Sequence, residues 1–485
     1  MRRHWNKRFL TLNAATKFTL IVGFITLGFL LVWQYRTSIG RNEYSINTEY
    51  IHHEIVRNFT FLKLEHERAL KNSFGKQISV EFLSAPGERA AKNGITLNTV
   101  KPTFPKDFAG IRLDKVPIEK SVGYVRVWNY WELMTMNTRA LIALAGLAKI
   151  GGRKVLAPRV KNSEFSRKGD PLGTYFNITA FNTLLALNNY ATLASEKHYE
   201  ADCSSDNASH VVIHFLYGDQ DTKQELHLNA KEYDNVRKSA AKVGWSKCPS
   251  LKYFIKENSK ARYFCVEVAE VTEWSRLEND VIQGAQCVTI TNWRGIGGGR
   301  HRTQFTQEYL KAKVKDILFA LKPSGDILKE ANRFRRAIYE PYIGVHIRAE
   351  KIFSAHNVPR ILDCIRLLAE LLKLLKAMSG IAHVLVAADT SSFGSYAWEG
   401  QEIHRTLKNL HSTLISSVGG SEYQPTAGYL DRGVVALVEM SLLARATHLV
   451  TVGKGSFQEW VKAKFLEQHR YDYQSSWSLI TMCSQ

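Results

Sequence analysis

The feature that most constrains the fold is an alternation of short apolar runs and long helical stretches in the second half of the chain. Tyr342–Arg348, His383–Ala388 and Thr447–Val452 have the length and composition of buried strands. Helices are predicted between them at Pro359–Met378 and Gly433–Ala446. Because a crossover helix returns the chain to the same end of a sheet, this order predicts parallel strands.

A similar pattern begins near residue 121. Val122–Val127 and Lys154–Ala157 are predicted strands, and Asn137–Ile150 is a predicted helix that ends at two glycines. A single sheet offers too small a core for a chain of 485 residues. We therefore predict two α/β domains that face each other, with the hinge between them somewhere in 300–340.

The N-terminus predicts a single transmembrane helix that stays attached as a signal anchor. Residues 1–17 contain five basic residues and no acid, and the uncharged, mostly apolar segment 18–34 follows. This segment is slightly shorter than the roughly 20 residues of a comfortable span. A cleaved signal peptide is the alternative, but Trp33 and Tyr35 stand where a peptidase requires small side chains. The basic tail predicts a cytosolic N-terminus, a stem at 35–120 and a luminal remainder.

Other features fit a luminal location. Asn58, Asn177 and Asn207 begin N-glycosylation sequons. Six cysteines predict one to three disulfides in an oxidising compartment, with free buried thiols as the alternative for Cys287 and Cys364. A net charge of +20 suits nucleic acid, but a luminal chain does not meet that partner. The basic excess then indicates an anionic donor, an acidic glycan or simple solubility, and charge alone does not choose among them. We expect a single-pass type II protein of the Golgi or ER membrane.

Polar residues follow each predicted strand of the second domain. His346 and Arg348 end the first strand, Asp389 follows the second, and the loop Gly453–Phe457 follows the third. Ligands of open α/β sheets bind outside these carboxyl ends. The glycines and the first N–H groups of the next helix suit a phosphate, as does the Ser456 hydroxyl, and a guanidinium suits a diphosphate. A surface ion pair of Arg348 and a turn cap by Asp389 are the alternatives.

The first domain carries candidate residues in two places. Glu132 and Asn137 lie between its first strand and first helix. The basic, glycine-rich stretch Trp293–Arg302 contains Arg294, Arg300 and Arg302, which are candidates to face a diphosphate across the cleft. A basic linker without a binding role is the alternative for this stretch. No spacing of histidines or cysteines predicts a metal site.

Segments of both domains resemble a known family. Gly344–Arg348 is similar to the H-x-R motif of fucosyltransferases of the protein O-fucosyltransferase and α1,6-fucosyltransferase type. Val386–Gly394 resembles their strand that ends in Asp, and Gly433–Phe457 resembles their helix, strand and Ser-Phe loop. Asn137–Pro158 resembles the first helix and strand of their N-terminal domain. The resemblance covers roughly 121–465 and is more specific in the C-terminal half.

The family implies an α/β, GT-B-like fold with two facing Rossmann-like domains, 121–320 on the acceptor side and 321–485 on the nucleotide-sugar side. It also implies an inverting, metal-independent transfer of fucose from GDP-fucose to a hydroxyl of a protein or glycan. Arg348 is then expected to bind the diphosphate and to stabilise the departing GDP as a catalytic group. Asp389 is expected to contact the nucleoside, and Ser456 and Phe457 are expected to hold phosphate and base or ribose. The residues expected to bind the donor are His346, Arg348, Asp389, Gly455, Ser456 and Phe457.

Glu132 is the candidate general base, because inversion needs a carboxylate near the attacking hydroxyl. An exposed loop acid without a catalytic role is the alternative for this residue. Many members of the family have a second basic residue and an Asp after the motif arginine, where this chain has Ala349 and Glu350. A different sugar nucleotide on the same fold is therefore one alternative, and a non-catalytic luminal carbohydrate-binding protein is another. No cofactor besides the donor is expected, and Asp219-Gln-Asp221 is interpreted as an acidic turn rather than a metal site.

Overall fold

The computed structural model describes residues 80–84, 122–205, 207–218, 226, 228–248, 251, 260–297, 302–303, 305, 308–338, 340–348, 358–389, 401–470 and 477–483. All of them belong to one compact unit, 55–485. The predicted anchor at 18–34 and the sequon at Asn58 lie outside the described residues. Within the described ranges, none of the helices combines the length and the apolar character needed to cross a membrane.

The described part of the chain alternates strands and helices. The strands are β1 (Val80–Ser84), β2 (Gly123–Tyr130), β3 (Arg153–Leu156), β4 (Arg159–Lys161), β5 (Glu164–Ser166), β6 (Asp170–Pro171), β7 (Leu193–Ala194), β8 (His210–Leu216), β9 (Trp245–Lys247), β10 (Arg262–Glu267), β11 (Cys287–Trp293), β12 (Tyr342–Ile347), β13 (His383–Ala388), β14 (Gly420–Ser421), β15 (His448–Val452) and β16 (Ser478–Met482). The helices are α1 (Met134–Ile150), α2 (Ile178–Leu187), α3 (Glu196–Cys203), α4 (Ala230–Val243), α5 (Trp274–Leu277), α6 (Glu308–Ala320), α7 (Gly325–Ala337), α8 (Val358–Ser379), α9 (Gln401–Val418), α10 (Arg432–Leu443) and α11 (Ser456–His469).

The first lobe, residues 122–320, is built on a seven-stranded sheet in the order β7-β3-β2-β11-β8-β10-β9. All neighbours are parallel except β9, which pairs antiparallel with β10. The strands β8 and β11 are buried along their whole length, as expected for a parallel sheet that is covered on both faces. A small antiparallel sheet of β5, β4 and β6 follows β3.

The second lobe comprises residues 325–483 together with β1, and it is built on a sheet in the order β1-β16-β15-β12-β13-β14. The five strands from β16 to β14 are parallel, and β1 pairs antiparallel with β16 at the edge. The predicted mixed α/β class with parallel sheets is therefore confirmed. The strand β1 was not predicted, because the surrounding residues were interpreted as a stem.

Helix α11 joins the two lobes. Two other helices pack within one lobe each: α6 packs against α1 of the first lobe, and α7 packs against α10 of the second. The helix α11 contacts both α1 and α6, and its fully buried Trp460 stacks on Phe176 with ring centroids 6.0 Å apart. Aromatic contacts of this kind stabilise the junction beyond the area they bury. The start of α11, which follows β15, is thereby held against the start of α1.

Three disulfides lie within the lobes: Cys203–Cys287 and Cys248–Cys265 in the first, and Cys364–Cys483 in the second. The prediction of disulfides is confirmed. The alternative of free thiols at Cys287 and Cys364 is wrong, since no described cysteine is free. Of the predicted glycosylation sites, Asn177 and Asn207 are both exposed.

Candidate functional site

The order of the second sheet places a crevice between β12 and β15. From β12 the chain continues to β13 and β14 on one side, and later returns to β15 and β16 on the other. Crossovers that leave in opposite directions open a gap at the carboxyl ends of the two central strands, where open α/β sheets bind ligands. Arg348 directly follows β12, and the loop at Gly453 directly follows β15. The backbone N–H of Arg348 donates to the carbonyl of Val452 at 2.9 Å, so the two ends are joined.

Arg348 and Asp389 form an ion pair at this edge. Arg348 Nη1 lies 3.7 Å from Asp389 Oδ2, and the Arg348 side chain remains 22% exposed whereas that of Asp389 is 7% exposed. A buried carboxylate beside a partly exposed guanidinium restricts the orientation of the arginine fork at this edge of the sheet. The turn at 390–392 that Asp389 would cap, and Glu350 as a further acidic neighbour of Arg348, lie outside the described residues. The acid that orients Arg348 is the candidate site residue Asp389.

The loop after β15 leads into the first turn of α11. Gly453 has a φ of 91°, which glycine adopts without strain, and its N–H donates to the Met482 carbonyl at 2.9 Å. Gly455 is different: its φ of −179° is extended backbone that any residue adopts. The prediction that Gly455 is needed for its backbone angle is therefore wrong. A Cβ there would lie 3.6 Å from Arg348 Nε, so this glycine places the open loop backbone against the guanidinium.

The N-terminus of α11 has no side-chain cap. Its first N–H groups therefore remain available to an anion, and the helix dipole favours negative charge at this end. Ser456 is the first residue of the helix, and its hydroxyl donates to the sulfur of Met136 at 3.2 Å. Met136 belongs to α1, so the start of α11 in the second lobe directly contacts the first lobe.

His346 and Phe457 lie side by side beneath the loop, with ring centroids 5.5 Å apart. His346 is buried, and its Nδ1 has no hydrogen bond among the described residues. Burial, followed by the positive charges of Arg348 and Lys462, lowers the pKa of His346 to about 3. The imidazole is therefore neutral at physiological pH, and it supports the loop as a packed ring rather than as a cation.

We expect the His346 imidazole to remain neutral throughout pH 5–8. The measurement is a pH titration of the histidine ring resonances by NMR, with the His346 signal identified by its loss in the His346→Asn variant. A protonation midpoint between pH 5 and 7 for this signal would contradict the buried, neutral state.

Gln458 is a site residue that sequence reasoning missed. Its buried side-chain amide donates to the Val452 carbonyl at 2.8 Å and to the His346 carbonyl at 3.4 Å. One amide thus binds the ends of two neighbouring strands and fixes the loop between β15 and α11. The only sequence signal is a polar residue two positions after Ser456. That signal does not distinguish a buried residue that hydrogen-bonds the backbone from a solvent-exposed residue on the helix.

The candidate base lies at the carboxyl edge of the first sheet, just before α1. Glu132 follows β2 and is partly exposed, and its Oε1 accepts a hydrogen bond from Arg302 Nη2 at 2.8 Å. Arg302 Nη1 also donates to the Arg294 carbonyl at 3.3 Å. The candidate base is therefore accessible, and a guanidinium from the glycine-rich stretch holds it in place.

Asn137 has a different position from the predicted one, because its side chain does not line a cleft. It is almost completely buried, its Oδ1 accepts from the Glu132 N–H at 3.0 Å, and its Nδ2 donates to the Glu132 carbonyl. The side-chain amide forms two hydrogen bonds to the Glu132 backbone of the kind that a neighbouring strand would form. It thereby connects the end of β2 to α1. Asn137 therefore positions the candidate base through its backbone.

We expect Asn137→Ala to lower the free energy of unfolding by about 1–3 kcal/mol, because it leaves two buried backbone groups of Glu132 without partners. Chemical denaturation of the variant and of the wild type is the measurement, and Asn188→Ala, at the C-terminal end of α2, is the control for an asparagine with one side-chain bond to the backbone. Equal stability of Asn137→Ala and wild type would show that the Glu132 loop does not depend on this side chain.

Arg294 also departs from the prediction. Its guanidinium lies 3.7 Å from the ring centroid of Trp131 and 4.4 Å from that of Tyr217, and the residue is buried. The expectation that Arg294 faces a diphosphate is therefore wrong, since the aromatic rings cover its cation. Arg300 lies outside the described residues.

Arg139, which was not predicted, lies where the two lobes meet. It follows Met136 by three residues on α1, and its Nη1 lies 3.6 Å from the same sulfur that accepts the Ser456 hydrogen bond.

In the described ranges, no group of three or more histidine, cysteine, aspartate or glutamate side chains has the arrangement of a metal site.

The comparisons with known proteins identify structural likeness at low sequence identity. Neither the scan of protein-family models nor the search of curated proteins returns a match. A crystal structure of POFUT1 in complex with GDP-fucose is 12% identical, covers 76% of this chain and 99% of that chain, and has a TM-score of 0.45. The α1,6-fucosyltransferase NodZ soaked with GDP-fucose is 10% identical, with coverages of 71% and 92% and a TM-score of 0.34. Another structure of NodZ, from Bradyrhizobium, is 11% identical with the same coverages and TM-score.

Proposed function

We propose that this chain is a glycosyltransferase of the GT-B type that transfers fucose from GDP-fucose to a hydroxyl of a protein or glycan. The observation that carries the proposal is the placement of Arg348. Its guanidinium is oriented by Asp389, lies against the uncapped start of α11, and stands at the carboxyl edge where the sheet order opens a crevice. A fixed guanidinium and free helix N–H groups together match the charge and shape of a nucleoside diphosphate.

The reaction follows from charge placement. The acceptor oxygen attacks the anomeric carbon as the bond from that carbon to the β-phosphate oxygen breaks, which inverts the configuration. Negative charge then accumulates on the leaving GDP, where Arg348 and the first N–H groups of α11 stabilise it without a metal ion. Glu132 accepts the proton of the acceptor hydroxyl. Its side chain is available for this role because it is partly exposed at the edge of the first sheet.

The GDP-fucose donor is proposed from the motifs around Arg348, Asp389 and Ser456 that resemble fucosyltransferases. The POFUT1 crystal structure is a complex with GDP-fucose, and the NodZ crystal was soaked with the same donor. We further propose a type II membrane protein of the Golgi or ER with its catalytic part in the lumen. This part of the proposal is supported by the charge asymmetry around residues 18–34, the sequons and the three disulfides.

The test is to express residues 36–485 as a secreted protein and to measure turnover of GDP-fucose with folded and denatured protein acceptors and with free glycans. Stabilisation of the protein against heat by GDP, UDP and CMP sugars is measured in parallel. We expect GDP and GDP-fucose to stabilise the protein, and fucose to appear on an acceptor. Stabilisation by UDP or CMP sugars alone would assign a different donor, and stabilisation by none of them would exclude the transferase.

A further inference from the structure

The guanidinium of Arg139 has an unusually weak partner for its position. Arg139 lies in the second turn of α1 and is partly buried. Within the described part of the chain, its hydrogen bonding consists of one contact, from Nη1 to Met136 Sδ at 3.6 Å. A thioether is a poor acceptor, whereas arginines that lose solvent in proteins normally gain a carboxylate, a carbonyl or a phosphate. The site is thus incomplete without an anion.

The same sulfur shows where that anion would lie. Met136 Sδ also accepts the Ser456 hydroxyl at 3.2 Å, so Arg139 and the first residue of α11 are separated by a single atom that both contact. Arg348 lies on the other side of this loop, against Gly455. The uncapped helix start is therefore flanked by one guanidinium from each lobe.

The charges around Arg139 favour an anion as well. Burial, followed by the nearby positive charge of Arg302, lowers the pKa of Arg139. Arg302 itself is matched by Glu132 at 2.8 Å, and Arg348 is matched by Asp389. Of the three arginines Arg139, Arg302 and Arg348, Arg139 is the one that has no carboxylate contact among the described residues. A diphosphate between the lobes would supply the missing negative charge.

We propose that Arg139 is a donor-binding residue that contacts the diphosphate of the sugar nucleotide from the first lobe, opposite Arg348. This inference rests on the proposed function, because it takes the nucleotide diphosphate as the ligand of the Ser456 loop. It adds a specific consequence: the diphosphate binds both lobes at once, so its affinity depends on a residue of the lobe that faces the acceptor. An anionic acceptor group is the other source of a matching charge.

The experiment compares binding of guanosine, GMP and GDP to the full-length chain by isothermal titration calorimetry, for the wild type, Arg139→Gln, Arg139→Lys and the control Arg336→Gln. Arg336 is an exposed arginine on α7. We expect Arg139→Gln to weaken GDP by about 10- to 100-fold, the range for a lost charged hydrogen bond, and to leave guanosine unchanged. Arg139→Lys keeps the charge and the stem, and is expected to lose only part of the affinity. Arg336→Gln is expected to bind all three ligands as the wild type does.

The outcomes separate the inference from the proposed function. If the wild type binds none of these ligands, the proposed donor is wrong. If the wild type binds GDP and Arg139→Gln binds it equally well, the inference is overturned while the proposed function stands. An equal loss of guanosine and GDP would also overturn it, because that result indicates a purely structural role. Unchanged GDP binding with weaker binding of a sulfated or carboxylated acceptor would assign Arg139 to the acceptor instead. Should Arg139→Gln fail to fold, the same comparison is made with Arg139→Lys.

Discussion

Replacement of Arg348 by alanine is expected to lower turnover of GDP-fucose by about 10²- to 10³-fold, the loss typical of removing one preorganised group that stabilises transition-state charge. The size of the effect follows from geometry. Asp389 holds the guanidinium at the crevice before substrate arrives, so little reorganisation is needed when negative charge develops on the leaving diphosphate. Arg348→Lys is expected to recover only part of the activity, because an ammonium does not provide the planar fork.

The measurement is the rate of GDP release from GDP-fucose in the presence of acceptor, together with the thermal midpoint of each variant. Arg336→Ala is the matched control, since it removes an exposed arginine on α7 and is expected to retain full activity. A folded Arg348→Ala protein with wild-type turnover would refute the proposed role. A matching fall in activity and thermal midpoint would instead identify Arg348 as a structural partner of Asp389.

The parts of the fold that sequence predicted are those in which local pattern and buried position agree. The strand His383–Ala388 has the predicted bounds, and the helix predicted at Asn137–Ile150 begins only three residues earlier, at Met134. Each consists of apolar residues between clear stop signals, and each lies in the buried middle of a lobe. Because the carboxyl ends of parallel strands share one edge, the meeting of Arg348, Asp389 and the Gly453 loop could also be predicted.

The missed features depend on contacts between distant segments. Arg294 belongs to a basic, glycine-rich stretch that suggests exposure, but Trp131 and Tyr217 reach it from the ends of two other strands. The role of Asn137 is set by the path of the Glu132 backbone, which a side-chain pattern does not encode. Arg139 appears in sequence as a charge on a largely apolar helix. Its proposed role depends on Ser456, which lies 320 residues after the Met136 that both side chains contact.

A second large effect is expected from two buried glutamates of the second lobe that differ in their partners. Glu330, on α7, accepts hydrogen bonds from Arg333 Nε and Nη2 at 2.7 Å each, and from the Tyr423 hydroxyl at 2.9 Å. The pKa of Glu330 is lowered, chiefly by Arg333. Glu439, on α10, is buried without a hydrogen bond to its carboxyl group among the described residues. Burial, followed by the negative charge of Glu422, raises its pKa to about 8.

The two pKa shifts make the stability of the protein depend on pH in opposite directions. The raised pKa means that folded Glu439 keeps a proton that the unfolded chain has lost, so stability falls as the pH rises from 4.5 towards 8, by up to about 1.4 kcal/mol per pH unit. Glu439→Gln removes this dependence and is expected to exceed the wild type by an amount that grows with pH. The lowered pKa of Glu330 gives stability that is present above pH 4.5 and is lost as the pH falls through the folded value. Glu330→Gln is therefore expected to be less stable than wild type by about 1–3 kcal/mol at pH 7.

Urea denaturation of the wild type and both variants at pH 5, 6, 7 and 8 measures these differences, and each variant is the control for the other. Both changes replace a buried glutamate by its neutral isostere, so a general cost of the amide would lower both stabilities alike. The prediction requires that the advantage of Glu439→Gln increases from pH 5 to 8 while Glu330→Gln remains destabilised at pH 7. Parallel curves for wild type and Glu439→Gln would mean that Glu439 is ionised in the folded protein over this range, and hence that water or a cation reaches the interior between α10 and Glu422.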